Sequence, residues 1–175
     1  MTRKEACNAV RLVVLGEEDV ERAGSIAAIR EHAWKGNPSS GDLERAARKV
    51  ADEIRRIDPG RKALLAACSG LATIGFCRVA ADAVNGSLWW IGGVAVHQEW
   101  RRRGVGRGLL RGGGVYAGER GASLVRSTTD PWNAAAIRCH ERAGFMNDGQ
   151  FTAEDGDRKI GFSIRTEAIA LDNWR

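Results

Sequence analysis

Apolar and polar positions along the chain switch between a period of two and a period near 3.6, and each switch marks an element. Val10 to Leu15 is a short apolar run that reads as a strand. Glu17 to Trp34 carries Val20, Ala23, Ile26, Ala27 and Ile29 at helical spacing, with acidic residues in the first turn, where the helix dipole favours them. Gly36-Asn37-Pro38-Ser39-Ser40-Gly41 is loop chemistry, after which Asp42 is positioned to cap a second helix. Leu43, Ala46, Ala47, Val50 and Ile54 line one face of that helix, which runs to about Ile57 and stops at Asp58-Pro59-Gly60.

Strands are predicted over Ala63 to Cys68, Ile74 to Ala81 and Leu88 to Val96, followed by a helix from Arg103 to about Glu119 and a strand from Leu124 to Thr128. The next helix spans Pro131 to Ala143, with Asp130 as cap, Pro131 in the first turn and Gly144 at the stop. Phe145 to Thr152 and Lys159 to Thr166 form a hairpin around Asp155-Gly156-Asp157. Strand–helix–strand steps imply parallel pairing and the short connections antiparallel pairing, so the expected fold is a mixed α/β sheet. No repeat or linker divides the chain, and residues 1–175 read as one domain.

Composition sharpens this picture at one place. Of 22 glycines, ten fall between Gly92 and Gly121, which suggests a segment where backbone rather than side chain meets a ligand. The net charge of +5 suits an anionic partner, and Arg101, Arg102, Arg103, Arg107 and Arg111 gather at the same segment. Four scattered cysteines (Cys7, Cys68, Cys77, Cys139) form no metal-ligand spacing and read as free thiols of a reducing cytoplasm. The apolar run near the N-terminus is too short for a signal peptide, and the uncharged stretch Ala83 to Val96 too short for a membrane span. A soluble cytoplasmic protein without a metal site is the expectation.

Val94-Ala95-Val96 leads through a short turn into Arg101-Arg102-Arg103-Gly104-Val105-Gly106-Arg107 and a helix. The N–H groups at a helix start lack partners and point outward, and the dipole reinforces them as an anion site. Gly104 and Gly106, without a Cβ, let an anion approach the backbone. A P-loop string is absent, and a dinucleotide fingerprint fails at Leu109, where its third glycine belongs. A solvated basic loop touching nucleic acid is the alternative, which the adjoining glycines and helix start disfavour.

This pattern (an Arg or Gln, two residues, Gly, one residue, Gly or Ala) resembles the acetyl-coenzyme-A signature of the GNAT superfamily of N-acetyltransferases. Arg101, Gly104 and Gly106 fill it. Asn133, Ala136, His140, Gly144 and Phe145 match the frame of the family's later helix. The resemblance implies a mostly antiparallel sheet of about seven strands flanked by about four helices, with acetyl-CoA as co-substrate. It implies that Val94, Ala95 and Val96 meet the pantetheine arm, that Arg101 to Arg107 and Asn133 hold the cofactor, and that the acid protonating the departing thiolate stands at the tyrosine position, here His140. Direct transfer to a primary amine follows, with the Val94 N–H or its neighbours polarising the thioester carbonyl. Glu31, Glu99 or a water chain are the possibilities for the base.

The acceptor, a small-molecule amine or a protein N-terminus, is expected between the Trp34 to Asp42 loop and the Phe151 to Lys159 hairpin. Glu154, Asp155 and Asp157 there would favour a cationic amine or simply build the turn. A homodimer stays open, and an acyl-CoA-sensing module without catalysis is the competing class. Of Trp89 and Trp90, which alternate across their strand, one belongs in the core while the other is free to face the acceptor. Gly112-Gly113-Gly114 would mark close packing, a kink or an early helix end.

Overall fold

The computed structural model describes residues 9–169. Seven strands form one sheet: β1 (Val10–Val14), β2 (Lys62–Ser69), β3 (Ala72–Ala81), β4 (Leu88–Val96), β5 (Leu124–Thr129), β6 (Met146–Thr152) and β7 (Arg158–Arg165), in the order β1-β2-β3-β4-β5-β7-β6. Four helices flank it: α1 (Ala23–Lys35), α2 (Ser40–Arg55), α3 (Val105–Gly118) and α4 (Ala134–Ala143). Only β4 and β5 pair in parallel. The step from β1 to β2 through two helices gives an antiparallel pair, because α2 carries the chain back to the end α1 started from. The step from β5 through α4 gives no pair at all, because β7 inserts between β5 and β6.

Strand alternation divides the core into two layers. Leu65, Cys77, Val79, Trp89, Ile91, Val125 and Phe162 pack with Leu109 and Leu110 of α3, while Leu64, Ala66, Phe76 and Ala95 pack with Ile26 of α1 and Val50 of α2. Only part of the second face is covered by helix, and β6 is exposed along its whole length.

All four helix starts differ from their predicted positions, that of α3 by two residues, Val105 in place of Arg103. A 3-10 turn over Glu17–Arg22 precedes α1, and Arg22 folds back from it to Asp19, the Leu71 carbonyl and Thr73, tying the turn to the β2–β3 connection. Ser39 caps α2, accepting the Asp42 N–H, while the Asp42 carboxylate returns to the Ser39 N–H; Asp42 closes the capping box and is not its cap. Asn133 caps α4 through the Ala136 N–H, leaving Pro131 and Trp132 in a preceding turn and Asp130 free to bind Lys159. α2 and α4 each use another good capping residue close to the predicted one, whereas α1 continues from the 3-10 turn with no side-chain cap.

The glycine triplet neither kinks nor ends α3. A Cβ at Gly112 would lie 2.2 Å from Leu12 Cδ1, at Gly113 2.8 Å from Ile91 Cδ1, and at Gly114 2.3 Å from Ile169 Cδ1. Small residues thus let α3 sink onto β1, β3 and β4. Alanine at Gly113 gains about 1 kcal/mol of helix propensity. It loses about 1–3 kcal/mol to overpacking against Ile91 and Val79, both buried in the core. Gly113→Ala is therefore expected to lower the denaturation midpoint in urea with the m-value unchanged; an unchanged or higher midpoint would show that the core yields at no cost.

Candidate cofactor and acceptor site

The site begins where two neighbouring strands separate. β4 and β5 pair from Leu88–Leu124 to Ile91–Ser127, and beyond that point β4 has no neighbour on its β5 side. Gly93, at a φ of +60°, sits at a bulge between Gly92 and Ala95, which stretches and bends β4 just past the last parallel pair. On the β3 side, His97 donates to Ile74 and Ala95 pairs with Phe76. Alternation therefore turns the N–H groups of Val94 and Val96 toward the opening. The Val96 carbonyl, on that same side, accepts the Nε–H of Arg101 at 3.1 Å. The opening thus presents backbone hydrogen-bonding groups of a central strand, which a bound chain can satisfy.

The arginine run closes the end of this opening. Arg102 has a φ of +64°, unique among the described non-glycine residues, and Gly104 caps α3 in the left-handed conformation at +85°. Among the described residues, the N–H groups from Arg102 through Arg107 donate to no protein group, and the first helical bond of α3 runs from Gly108 to the Gly104 carbonyl. These donors face outward as a concave nest suited to an anion. The two glycines have different reasons. Gly104 supplies the positive φ with open space around it. Gly106 admits α4 instead: its Cβ would stand 3.1 Å from Cys139 Sγ and 3.8 Å from Val96 Cγ2. The side chain of Arg103 lies over Trp100, 5.3 Å from the ring centre.

Asn133 stands outside α4 rather than on a helical face with Ile137 and His140. Its Oδ1 is committed to the cap, and its Nδ2 meets no protein acceptor among the described residues. His140 is buried, 4% exposed, between Phe162 (rings stacked, centres 4.4 Å apart) and the edge of Phe145. Its Nδ1–H donates to the Ala136 carbonyl at 2.8 Å, since a carbonyl can only accept; Nε2 then accepts from the Ser127 hydroxyl, also at 2.8 Å. Burial pushes the His140 pKa below its ordinary value, only partly opposed by the bond to Ala136. A neutral imidazole with both nitrogens occupied ties α4 to β5 and offers no proton outward. The only tyrosine, Tyr116, lies elsewhere in α3, donating to the Pro59 carbonyl at 2.6 Å.

A family model for the acetyltransferase (GNAT) family matches residues 26–145. The chain belongs to the GNAT acetyltransferase family. Among solved structures, the ribosomal-protein-S5-alanine acetyltransferase of Vibrio fischeri superposes with a TM-score of 0.73 at 10% identity, covering 93% of this chain and 96% of that one. The aminoglycoside acetyltransferase AAC(6')-Ib with coenzyme A gives 0.69 at 18%, covering 91% and 96%. YncA of Salmonella typhimurium with its cofactor acetyl-CoA gives 0.67 at 18%, covering 94% and 98%. No curated protein sequence matches the chain significantly. Among the described residues no helix is long and apolar enough to cross a membrane, and no cluster of His, Cys, Asp and Glu could hold a metal.

In this GNAT acetyltransferase the acidic residues named from sequence are largely engaged. Glu31 is buried against Arg30 and Lys35, and the Lys35 bond, more than burial opposes, lowers its pKa. Asp155 accepts the Asp157 N–H within the β6–β7 turn, and Asp157 pairs with Lys159, which also reaches Asp130 at 2.7 Å. The hairpin charges thus build the turn and fasten it to the β5–α4 loop. Of the two tryptophans, Trp89 is in the core, edge-on to Tyr116, and Trp90 is half-buried on the other face with its indole N–H on Asp82. Cys68 and Cys77 are buried free thiols and Cys139 is half-buried; Cys7 lies outside the described residues.

The lowered His140 pKa has a measurable sign. Neutral His140 stabilises the fold fully above the unfolded-state value of about 6.5 and progressively less as pH falls through and below it. An NMR titration of the His140 ring is expected to give a midpoint below that of a free histidine, with melting temperature falling on the acid side. A midpoint at or above about 6.5 would restore an imidazolium able to donate at neutral pH.

Proposed function

We propose that this protein transfers the acetyl group of acetyl-CoA directly to a primary amine, as one cytoplasmic catalytic domain spanning residues 1–175. The observation that carries the reading is the unpaired end of β4 beside a helix start with open N–H groups: one continuous track for an extended, amide-bearing chain that ends in phosphates. Val94 and Val96 supply the strand edge for the pantetheine amides, with Ala95 between them paired to β3. Arg101, Arg102, Arg103, Gly104, Val105, Gly106 and Arg107 supply charge and N–H groups for the pyrophosphate, with Asn133 Nδ2 on the opposite wall. Free buried thiols agree with a reducing compartment.

The Val94 N–H, held rigidly by the bulge, polarises the thioester carbonyl as a fixed donor does for a developing oxyanion. Solvent takes the proton of the ammonium, because Glu31 is locked between two cations with a depressed pKa. Solvent also returns a proton to the thiolate. His140 acts as a positioning residue: bonded to Ser127 and stacked on Phe162, it sets α4 against β5 and β7 and so places Asn133 and Cys139.

Ligand that binds only the folded state raises stability by RT ln(1 + [L]/Kd). Millimolar acetyl-CoA is therefore expected to raise the melting temperature, and thiol release is expected with an amine panel. Gly104→Val, placing a branched side chain at a φ of +85° in the nest, is expected to abolish that rise while circular dichroism stays that of the parent. A parent protein that acetyl-CoA does not stabilise would remove the assignment.

A further inference from the structure

On the sheet face away from α3 and α4, the middle of the sheet is uncovered. Gly92 is exposed although β4 is the central strand, and a Cβ there would meet nothing within 4 Å. Strand alternation puts Arg78, Trp90, Gly92, Arg126 and Thr128 on this face, since Cys77, Val79, Trp89, Ile91 and Val125 all belong to the α3 layer. This exposed face runs to the split between β4 and β5, so on the reading above an acceptor lying on it would reach the thioester end of the cofactor track.

The acidic groups bordering this face are satisfied by protein donors. Both Glu53 oxygens accept from Arg78, at 2.5 and 2.7 Å. Asp82 accepts the N–H groups of Val84 and Asn85 and the Trp90 indole. Asp148 accepts the Ser163 hydroxyl at 2.8 Å. Two basic groups are not satisfied. Arg78 is held by Glu53 and by the Phe76 ring, 5.4 Å away, so that its Nη1 stands 2.9 Å from where a Gly93 Cβ would be; Nη1 has no protein acceptor among the described residues. Arg126 is exposed, beside Trp90 in the parallel register and opposite Ser163 of β7, and no protein acceptor meets its guanidinium among the described residues.

We propose that the acetyl acceptor is an amine that also carries a carboxylate, and that Arg126, with Nη1 of Arg78, receives that carboxylate across Gly92. This rests on the acetyl-transfer reading above. Glu53 cancels the charge of Arg78, and Asp82 and Asp148 have their oxygens engaged by neutral donors, whereas Arg126 has no carboxylate partner among the described residues, so a carboxylate gains a charge-assisted bond at that one point. Arg78 and Arg126 stand on the two strands that flank β4, about 10 Å apart across the sheet. Arg78 is in register with Gly92 and Arg126 with Trp90, two residues earlier on β4, and each side chain is long enough to reach over the glycine. A planar guanidinium holds a carboxylate through two parallel bonds, which fixes orientation as well as affinity. The same acceptor thereby presents its amine toward the Gly93 bulge, where the thioester arrives. Thr128, next on this face of β5, adds a hydroxyl.

Matched acceptors test this: amino acids, their carboxamides with the amine unchanged, and a linear polyamine, each assayed by thiol release at saturating acetyl-CoA. The acids are expected to exceed their amides in kcat/KM by about ten-fold or more, the size of a charge-assisted hydrogen bond. Arg126→Gln, at an exposed position, is expected to raise KM for the acids toward that of the amides without changing acetyl-CoA affinity, and Arg126→Glu to reverse the order. Acids and amides used equally, a polyamine preferred by the parent, or an acid-to-amide ratio unmoved by Arg126→Gln would overturn the proposal. Acetyl-CoA that binds while no member of the panel is acetylated would overturn the acceptor assignment alone. Acetyl-CoA that fails to bind would overturn the acetyl-transfer reading beneath it.

Discussion

When a central strand loses its neighbour halfway along, backbone donors and acceptors that the sheet would have paired are left facing a gap. Here β4 pairs with β3 on both sides of the bulge at Gly93–Val94 but parts from β5 after Ile91–Ser127, and most of the site follows from that separation. The bulge at Gly93 sets the bend, with a φ that favours glycine. Arg101 braces the free strand through the Val96 carbonyl, and the chain then turns through Arg102 and Gly104 into α3. The strand edge and the helix start are consecutive in the chain, so their unpaired backbone groups lie side by side.

Holding this gap open requires rigidity on both sides. On one side α3 is sunk into the sheet through Gly112, Gly113 and Gly114, where a single methyl group has no room. On the other side α4 is fastened by the buried His140–Ser127 pair, the stack on Phe162, and the contact of Cys139 with Gly106. A buried hydrogen-bonded imidazole specifies one placement of a helix, because any other leaves polar atoms unpaired. Lys159 adds a third fastening by joining the β6–β7 turn to Asp130.

The same geometry separates two chemistries on opposite sides of one strand. Basic residues and free N–H groups collect at the helix start, where the nest and the dipole favour phosphate. The open face beneath α2 and beyond it carries acids already bonded within the protein and a few guanidinium donors that are not. In the proposed reaction an anionic cofactor and its acceptor would reach the split from different directions and meet at Gly92 to Val94.

Local sequence determined much of this. Periodicity and turn signals placed all seven strands and four helices, including β6, which buries neither face, and β2, which buries both. The glycine-rich helix start after Val94-Ala95-Val96 was readable because its chemistry is carried by consecutive backbone groups. Gly144 ends α4 in the left-handed conformation expected of it. What the tertiary structure alone decided concerns residues distant in sequence. Gly106 reads as phosphate access until Cys139, 33 positions later in the chain, is brought over it by the fold. His140 reads as a partly protonated acid at its free pKa, and only burial beside Phe145 and Phe162 with Ser127 at Nε2 makes it neutral and structural. Asn133 or Asp130 could each cap α4, and Lys159 decides between them by claiming Asp130. Arg78 and Arg126 carried no local signal, because a charged residue alternating with apolar ones in a strand reads as solvent-facing. Their meaning comes from the face they share with an uncovered Gly92, which exists only once strands from separate parts of the chain lie side by side.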